Sequence, residues 1–450
     1  MNRSSKFLRN SGIFALGSLG SKIISFVMVP LYTYTLSKAE YGTVDIILTT
    51  VNLFIPLVTL NLFDAVFRFA MDKAENTTEV YNTGIWYTLG ISTISLPIVL
   101  IVSFFLNFEY PLLFWLVLTL MSIFNLLQNY LKGVGQSSIF ALNGIINTFL
   151  FASFNILFLV VFHLGVSGYL ASYVAALSVS VLVAIVFGKV PHLSYLNLDH
   201  GLGKRMVKYS LPLIPNTLSW WLTNDVSRYF ILIFVGLSGN GLFAVANKIP
   251  AILNIGFSVL SQAWTISAID EFNKPGASEY FSRTINRLIG LSFVLQVVIV
   301  VGSRPLLPYV IASSYESVWK YVPFLVLSAT MSNINAVLGS IYIAAKKTAG
   351  VFSTTLIGML VNILGAFFLT KAFGINGTSF SSFLGFFVIF CLRVIGINRF
   401  LALQLDYVRI TSFFVLFFSV VLSMSLNNII MQYIALVLTL FVGSTYFFKK

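Results

Sequence analysis

The chain has 450 residues, 58% hydrophobic and only 9% charged, with a formal net charge of +13 and a mean hydropathy of +0.93. A soluble domain carries roughly 25% charged residues, so this composition excludes one, and apolar runs of about 18–26 residues match the ~30 Å a helix must cross. The single cysteine, Cys391, excludes an internal disulfide framework.

A short basic start (Arg3, Lys6, Arg9) leads into an apolar segment too long for a signal-peptide core, and it reads as a retained first helix. Crossings are expected at about 11–36, 42–67, 83–106, 110–131, 139–162, 166–188, 210–236, 240–264, 286–303, 321–344, 350–370, 376–397, 409–427 and 429–447, fourteen in all. An even number puts both termini on one side. With that side inside, twenty of the 27 Lys and Arg fall on the inner face, four on the outer face, and three within the membrane. The basic balance is therefore a topology signal, and no nucleic-acid partner is expected.

The loops are short. The longest outer one, about 304–320, is too small to fold as a domain, and the inner ones at 189–209 and 265–285 are polar and expected to be partly helical. His163, His192 and His200 lie far apart at segment ends, so no metal-ligand spacing arises, and no phosphate loop or nucleophile elbow is present. These features argue against an enzyme: no catalytic residue and no metal site are expected.

Two echoes divide the chain. Ser11 to Gly42 and Ser210 to Gly241 have the same spacing, and Gly165-Val166-Ser167-Gly168 is repeated in kind at Gly374-Ile375-Asn376-Gly377. Six-helix halves in one orientation are a transporter design with the substrate site between the halves. The expected organisation is an all-α polytopic membrane protein. A first lobe with its linker spans 1–203, a second lobe 204–400, and two additional helices 401–450.

The stretch Tyr209–Trp264 is the most informative, because its two apolar segments enclose Asp225, Arg228 and Lys248. A charge at membrane depth costs at least ~2.5–3.5 kcal/mol and faces a partner or a watery cavity. Helical spacing then groups polar residues on single faces: Ser11, Ser18, Lys22 and Ser25; Asp45, Thr49, Asn52 and Thr59; Asn216, Thr223 and Ser227; Asn247, Asn254, Ser258 and Ser261. Such faces either pack helices together or line a path for solute. Asp64 with Arg68, and Asp225 with Arg228, are spaced to pair on one helix face. A pair of this kind either locks two helices or leaves one member to bind an anion or a coupling proton. Prolines at 30, 56, 97, 212, 215, 250 and 323 lie in or at the start of crossings and favour kinks.

Three stretches carry a resemblance. Asn10-Ser11 through Glu40-Tyr41-Gly42, Leu60-Asn61-Leu62-Phe63-Asp64-Ala65-Val66-Phe67-Arg68-Phe69, and Trp220-Trp221, Arg228-Tyr229, Ala246-Asn247-Lys248-Ile249-Pro250 and Gln262-Ala263-Trp264 resemble Wzx-type polysaccharide flippases. The resemblance covers most of the first twelve expected crossings and none of the last two. It implies two six-helix lobes in a V and a cationic central cavity that opens alternately to each side. The implied substrate is an undecaprenyl-pyrophosphate-linked oligosaccharide repeat unit, moved across the bacterial cytoplasmic membrane for surface polysaccharide such as capsule, exopolysaccharide or O-antigen. In that frame Lys22, Arg68, Arg228, Asn247 and Lys248 are candidates for the anionic substrate. Asp45, Asp64 and Asp225 are candidates for coupling to a proton or sodium gradient, with no cofactor. Partners implied are the lipid-linked anionic oligosaccharide, membrane lipid and other polysaccharide-assembly proteins. The place directly before Arg228, where the family pattern has an acid, holds Ser227, so a pairing role for Asp225 does not follow from the resemblance. A peptidoglycan-precursor flippase and a multidrug antiporter of the same superfamily are the alternatives. A membrane polymerase is the more distant one.

Overall fold

A computed structural model describes residues 20–188, 190–195, 198–426 and 428–448. Arg3, Lys6, Arg9, Asn10, Ser11, Ser18, Lys189, Lys449 and Lys450 lie outside the described residues, as do the side chains of Gln262 and Ala263. Every regular element among the described residues is helical. Among the described residues, ten helices are long and apolar enough to cross a membrane. Their outward faces carry large apolar side chains such as Ile98, Ile101, Phe104, Phe105, Leu364 and Phe368, a surface suited to lipid rather than water. The chain is a multi-pass membrane protein.

The chain divides into two compact units, Met1–Asp225 and Val226–Lys450. In the first, the elements are α1 Val29–Thr35, α2 Lys38–Val58, α3 Leu62–Ala70, α4 Thr77–Leu106, α5 Pro111–Gly133, α6 Ser137–Asn155, α7 Gly165–Phe187, α8 His200–Ser210 and α9 Ile214–Asn224. Local chemistry sets several boundaries. Ser37 and Glu40 form a capping box at the start of α2, Asn76 caps α4 through the Thr78 N–H (3.0 Å), and Pro111 opens α5. The core joins Leu62, Ala65 and Val66 of α3 to Tyr81 and Ile85 of α4, Leu126 and Leu127 of α5, and Leu202 and Met206 of α8.

The residues leading up to Asp225 are bonded into this first unit. The segment 190–210 is strapped to the first unit: Asn82 Oδ1 accepts from the Ser194 N–H (2.7 Å), Thr83 Oγ1 from the Asp199 N–H (3.2 Å), and Arg205 pairs with Glu75 (2.6 Å). Trp221 of α9 donates to the Thr49 carbonyl of α2 at 3.0 Å. The expected crossing 210–236 is interrupted at Asp225–Val226, where Thr223, Asn224 and Asp225 bring polar side chains that compete for backbone bonds.

The second unit comprises α10 Ser227–Phe234, α11 Leu237–Ala246, α12 Lys248–Glu271, α13 Ala277–Val310, α14 Val322–Ala344, α15 Thr348–Ile397, α16 Tyr407–Ser425 and α17 Ile429–Phe448. α15 contains two of the expected crossings, because Gly374 takes φ 58° and ψ −138° and turns the chain back on itself. Thr370 and Thr378 bond across that turn at 2.7 Å, and Ser381 donates to Asn362 at 3.1 Å. The final pair packs onto the helices before it: Phe413 of α16 stacks on Phe293 of α13 with centroids 5.2 Å apart. The 398–406 connection is tied to α13 as well, with the Asp406 N–H donating to Asn286 Oδ1 at 3.0 Å.

Candidate functional site

In the first unit Lys22 is exposed on helical residues 20–27, with Ser25 one turn on, its hydroxyl donating to the Ser21 carbonyl at 2.9 Å. Asp45 is half-buried on α2, within electrostatic reach of Tyr169. Along the same face Thr49 is buried beneath Trp221 and Asn52 is exposed, so only part of this polar stripe is open. Asp225, half-buried, closes α9 with its N–H donating to the Trp221 carbonyl at 2.8 Å.

Asp64 and Arg68 are arranged differently from the expected pair. After α2 ends, Leu60 and Asn61 both adopt left-handed backbone, with φ 49° and 56°. Each such non-glycine residue costs roughly 1–2 kcal/mol, and asparagine bears it best because its side chain bonds locally. The Asn61 N–H donates to the Pro56 carbonyl (3.0 Å) and Thr59 Oγ1 (3.2 Å), and Asn61 Nδ2 donates to Asp64 Oδ2 (2.9 Å). Asp64 is also within electrostatic reach of Lys132, whose ammonium lies 4.5 Å from the Phe140 ring centroid. Arg68 is exposed and pairs with Asp72 at 3.8 Å. The acid is thus engaged by the break that precedes it, and the arginine by the acid one turn further on.

In the second unit Arg228 sits half-buried in the first turn of α10, its guanidinium 5.8 Å from the Phe243 ring centroid on α11. Phe243 belongs to a wholly buried run, Gly239–Ala246, which makes α11 a fixed wall for the cation. α11 stops at Asn247 because Pro250 has no N–H to give the Ala246 carbonyl. Asn247 turns its own amide back onto the Phe243 carbonyl at 3.2 Å, and Lys248 opens the next helix, half-buried. Further along α12, exposed Asn254 accepts from half-buried Asn333 of α14 at 3.0 Å, a polar contact within an otherwise apolar segment.

Counting charges by loop missed one residue. Arg393, assigned to the inner face, is only 6% exposed and lies inside α15. Its guanidinium donates to Thr354 Oγ1 (3.2 Å), Thr355 Oγ1 (3.0 Å) and the Asn335 carbonyl. Its two threonine partners lie 38 and 39 residues away in sequence, so no local pattern marks it as buried.

The eight candidate residues lie between positions 22 and 248, and one family pattern spans all of them: the family described as polysaccharide biosynthesis protein matches residues 7–266. The chain belongs to this family. With it goes the coarser reading, a membrane transporter of the multidrug/oligosaccharidyl-lipid/polysaccharide exporter superfamily, in line with the Wzx-type resemblance. No curated protein matches the chain in sequence. Solved structures do match in fold. One described as lipid II flippase MurJ, inward closed conformation, covers 97% of this chain and 98% of its own length, at TM-score 0.66 and 11% identity. An inward-facing multidrug resistance transporter of the MATE family, MOP superfamily, covers 84% of this chain and 98% of its own, at 0.59 and 14%. An outward-facing one covers 88% and 95%, at 0.58 and 13%. At such identities the likeness is one of fold. The Arg393 region lies beyond the stretch that defines the family.

Proposed function

We propose that this family member flips an undecaprenyl-pyrophosphate-linked oligosaccharide repeat unit from the inner to the outer leaflet of the bacterial cytoplasmic membrane, for surface polysaccharide assembly. One observation carries the reading: the polysaccharide-biosynthesis match encloses three basic residues, Lys22, Arg228 and Lys248, which the apolar sequence around them leads us to expect at membrane depth. Cations in a low-dielectric cleft attract a pyrophosphate or an acidic sugar, whereas a site for cationic drugs calls for acids. In this reading the basic residues hold the anionic headgroup while the prenyl tail stays in lipid, and the chain exposes the headgroup alternately to the two faces. Asp45, Asp64 and Asp225 are the groups through which a proton or sodium gradient couples. Both termini lie on the cytoplasmic side, and other polysaccharide-assembly proteins act on the product.

A second reading, a peptidoglycan-precursor flippase, draws support from the near-complete overlap with the lipid II flippase fold. Deletion in the native host, followed by mass analysis of prenyl-linked sugars, separates the two. Accumulation of a polysaccharide repeat unit with loss of surface polysaccharide supports the first. Accumulation of the peptidoglycan precursor supports the second, and an unchanged lipid pool rejects both.

A further inference from the structure

The second unit holds a cluster of cations that the family match does not reach. α15 leaves at Thr348 and returns at Ile397, so its two ends and the end of α14 come together on the side that the charge bias assigns to the inner face. Tyr342 is the centre of this corner. Its ring occupies space left by Gly350, where an added Cβ would lie 2.5 Å from it, and by Gly396, where a Cβ would strike the hydroxyl. The hydroxyl donates to the Arg393 carbonyl at 3.2 Å, and the ring packs edge-on against Phe400 with centroids 5.5 Å apart. Lys347 lays its ammonium 4.2 Å from the Phe400 centroid and donates its N–H to the Tyr342 carbonyl at 2.8 Å. Lys346 turns the chain with φ 57°, and Arg399 lies within electrostatic reach of the Tyr342 hydroxyl.

These cations differ from others in the chain in having no carboxylate partner among the described residues. Elsewhere Arg68, Arg205, Lys274, Arg283 and Arg409 each pair with a carboxylate. Among the described residues Lys346, Lys347, Arg393 and Arg399 pair with none, and the buried Arg393 rests on neutral oxygens alone. Lys347 also precedes α15 without a side-chain cap bond. About one turn into the helices from the exposed cations stand exposed apolar side chains, Ile343, Phe352 and Ile395. Cations at the end of a membrane helix with apolar residues just beneath them match a phosphodiester above and acyl chains below. A free phosphate would have no use for the apolar floor.

We propose that this corner binds an anionic membrane phospholipid, with Lys346, Lys347 and Arg399 on its phosphate and Arg393 as a positioning residue that fixes the three helix ends. The site is distinct from the charges placed at membrane depth, and it stands or falls apart from the transported substrate.

The test is native mass spectrometry of the purified full chain in micelles holding equal amounts of dioleoyl phosphatidylglycerol and dioleoyl phosphatidylcholine. The wild type should retain the anionic phosphatidylglycerol preferentially. Each cation near a membrane surface contributes roughly fivefold in affinity, so Lys346→Gln/Lys347→Gln/Arg399→Gln should weaken retention on the order of a hundredfold. Phosphatidylcholine retention and the melting midpoint should hold steady, since all three side chains are exposed. Lys346→Gln/Lys347→Gln alone should lose about 25-fold by the same increment, and Lys274→Gln/Arg283→Gln should lose nothing. Unchanged phosphatidylglycerol retention in the triple variant overturns the proposal. So does complete displacement of that lipid by inorganic pyrophosphate, which would mark a free-anion site, or by undecaprenyl pyrophosphate, which would mark a substrate site.

Discussion

Two cation-rich regions of this molecule solve the same problem in opposite ways. In the first unit Arg68 has Asp72, Arg205 has Glu75, and Lys132 has Asp64 within reach. In the second, Arg393 is buried among threonine hydroxyls and a carbonyl, and Lys346, Lys347 and Arg399 stand around it with no carboxylate. Charge matched by nearby acids fastens segments together and leaves little field outside. Charge satisfied by neutral oxygens is equally well bonded, yet it keeps its field and can still draw an anion. Hydrogen-bond satisfaction and charge compensation are separate quantities.

The largest effect is expected where the buried cation is removed. Arg393→Ala empties a buried site and takes a donor from two threonine hydroxyls and the Asn335 carbonyl, and should cost about 3 kcal/mol or more, read as a clear fall in the thermal midpoint of the purified chain. Arg393→Lys should recover only part, because an ammonium cannot reach three acceptors in a planar fork. Gly396→Ala should follow at about 1–3 kcal/mol, since its Cβ meets the Tyr342 hydroxyl and the ring must shift.

In the first unit Asn61→Ala should cost about 1–2 kcal/mol, through the left-handed backbone and the lost bond to Asp64. Asn61→Gly should cost less than Asn61→Ala; equal costs would mean that backbone conformation contributes nothing there. The smallest effect belongs to an exposed pair in the second unit: Glu279→Ala, which frees Arg283, should change stability by no more than about 0.5 kcal/mol. A large loss there would erase the contrast between compensated and uncompensated charge.

Much of this was legible in the sequence, for definable reasons. Hydropathy located the apolar segments because length and polarity are directly constrained by the bilayer, and Gly374 was readable as a turn because little else tolerates its backbone angle. Breaks inside apolar runs were harder. Periodicity continues smoothly across Leu60–Asn61, and what stops α2 is a set of bonds from Asn61 to Pro56, Thr59 and Asp64 that no window average sees. Asp64 and Arg68 have pairing geometry by spacing alone, but competition from Asn61 and Asp72 decides the outcome. Arg393 was illegible as a buried group because the positive-inside count assigns charges to faces without regard to burial. The bonding of α8 and α9 to α2 and to the α3–α4 connection is a tertiary fact that the composition of the 189–209 segment conceals.

The most direct test of the central claim is transfer of the substrate by the purified chain. Proteoliposomes would carry an undecaprenyl-pyrophosphate-linked oligosaccharide in both leaflets, and a membrane-impermeant sugar oxidant would report how much becomes accessible with time. The account predicts that the roughly half of the lipid facing inward becomes accessible when the wild-type chain is present, and that Lys248→Ala stays at the level of protein-free vesicles. If the wild type also stays at that level while it moves a peptidoglycan precursor or a cationic drug, the oligosaccharide assignment is wrong.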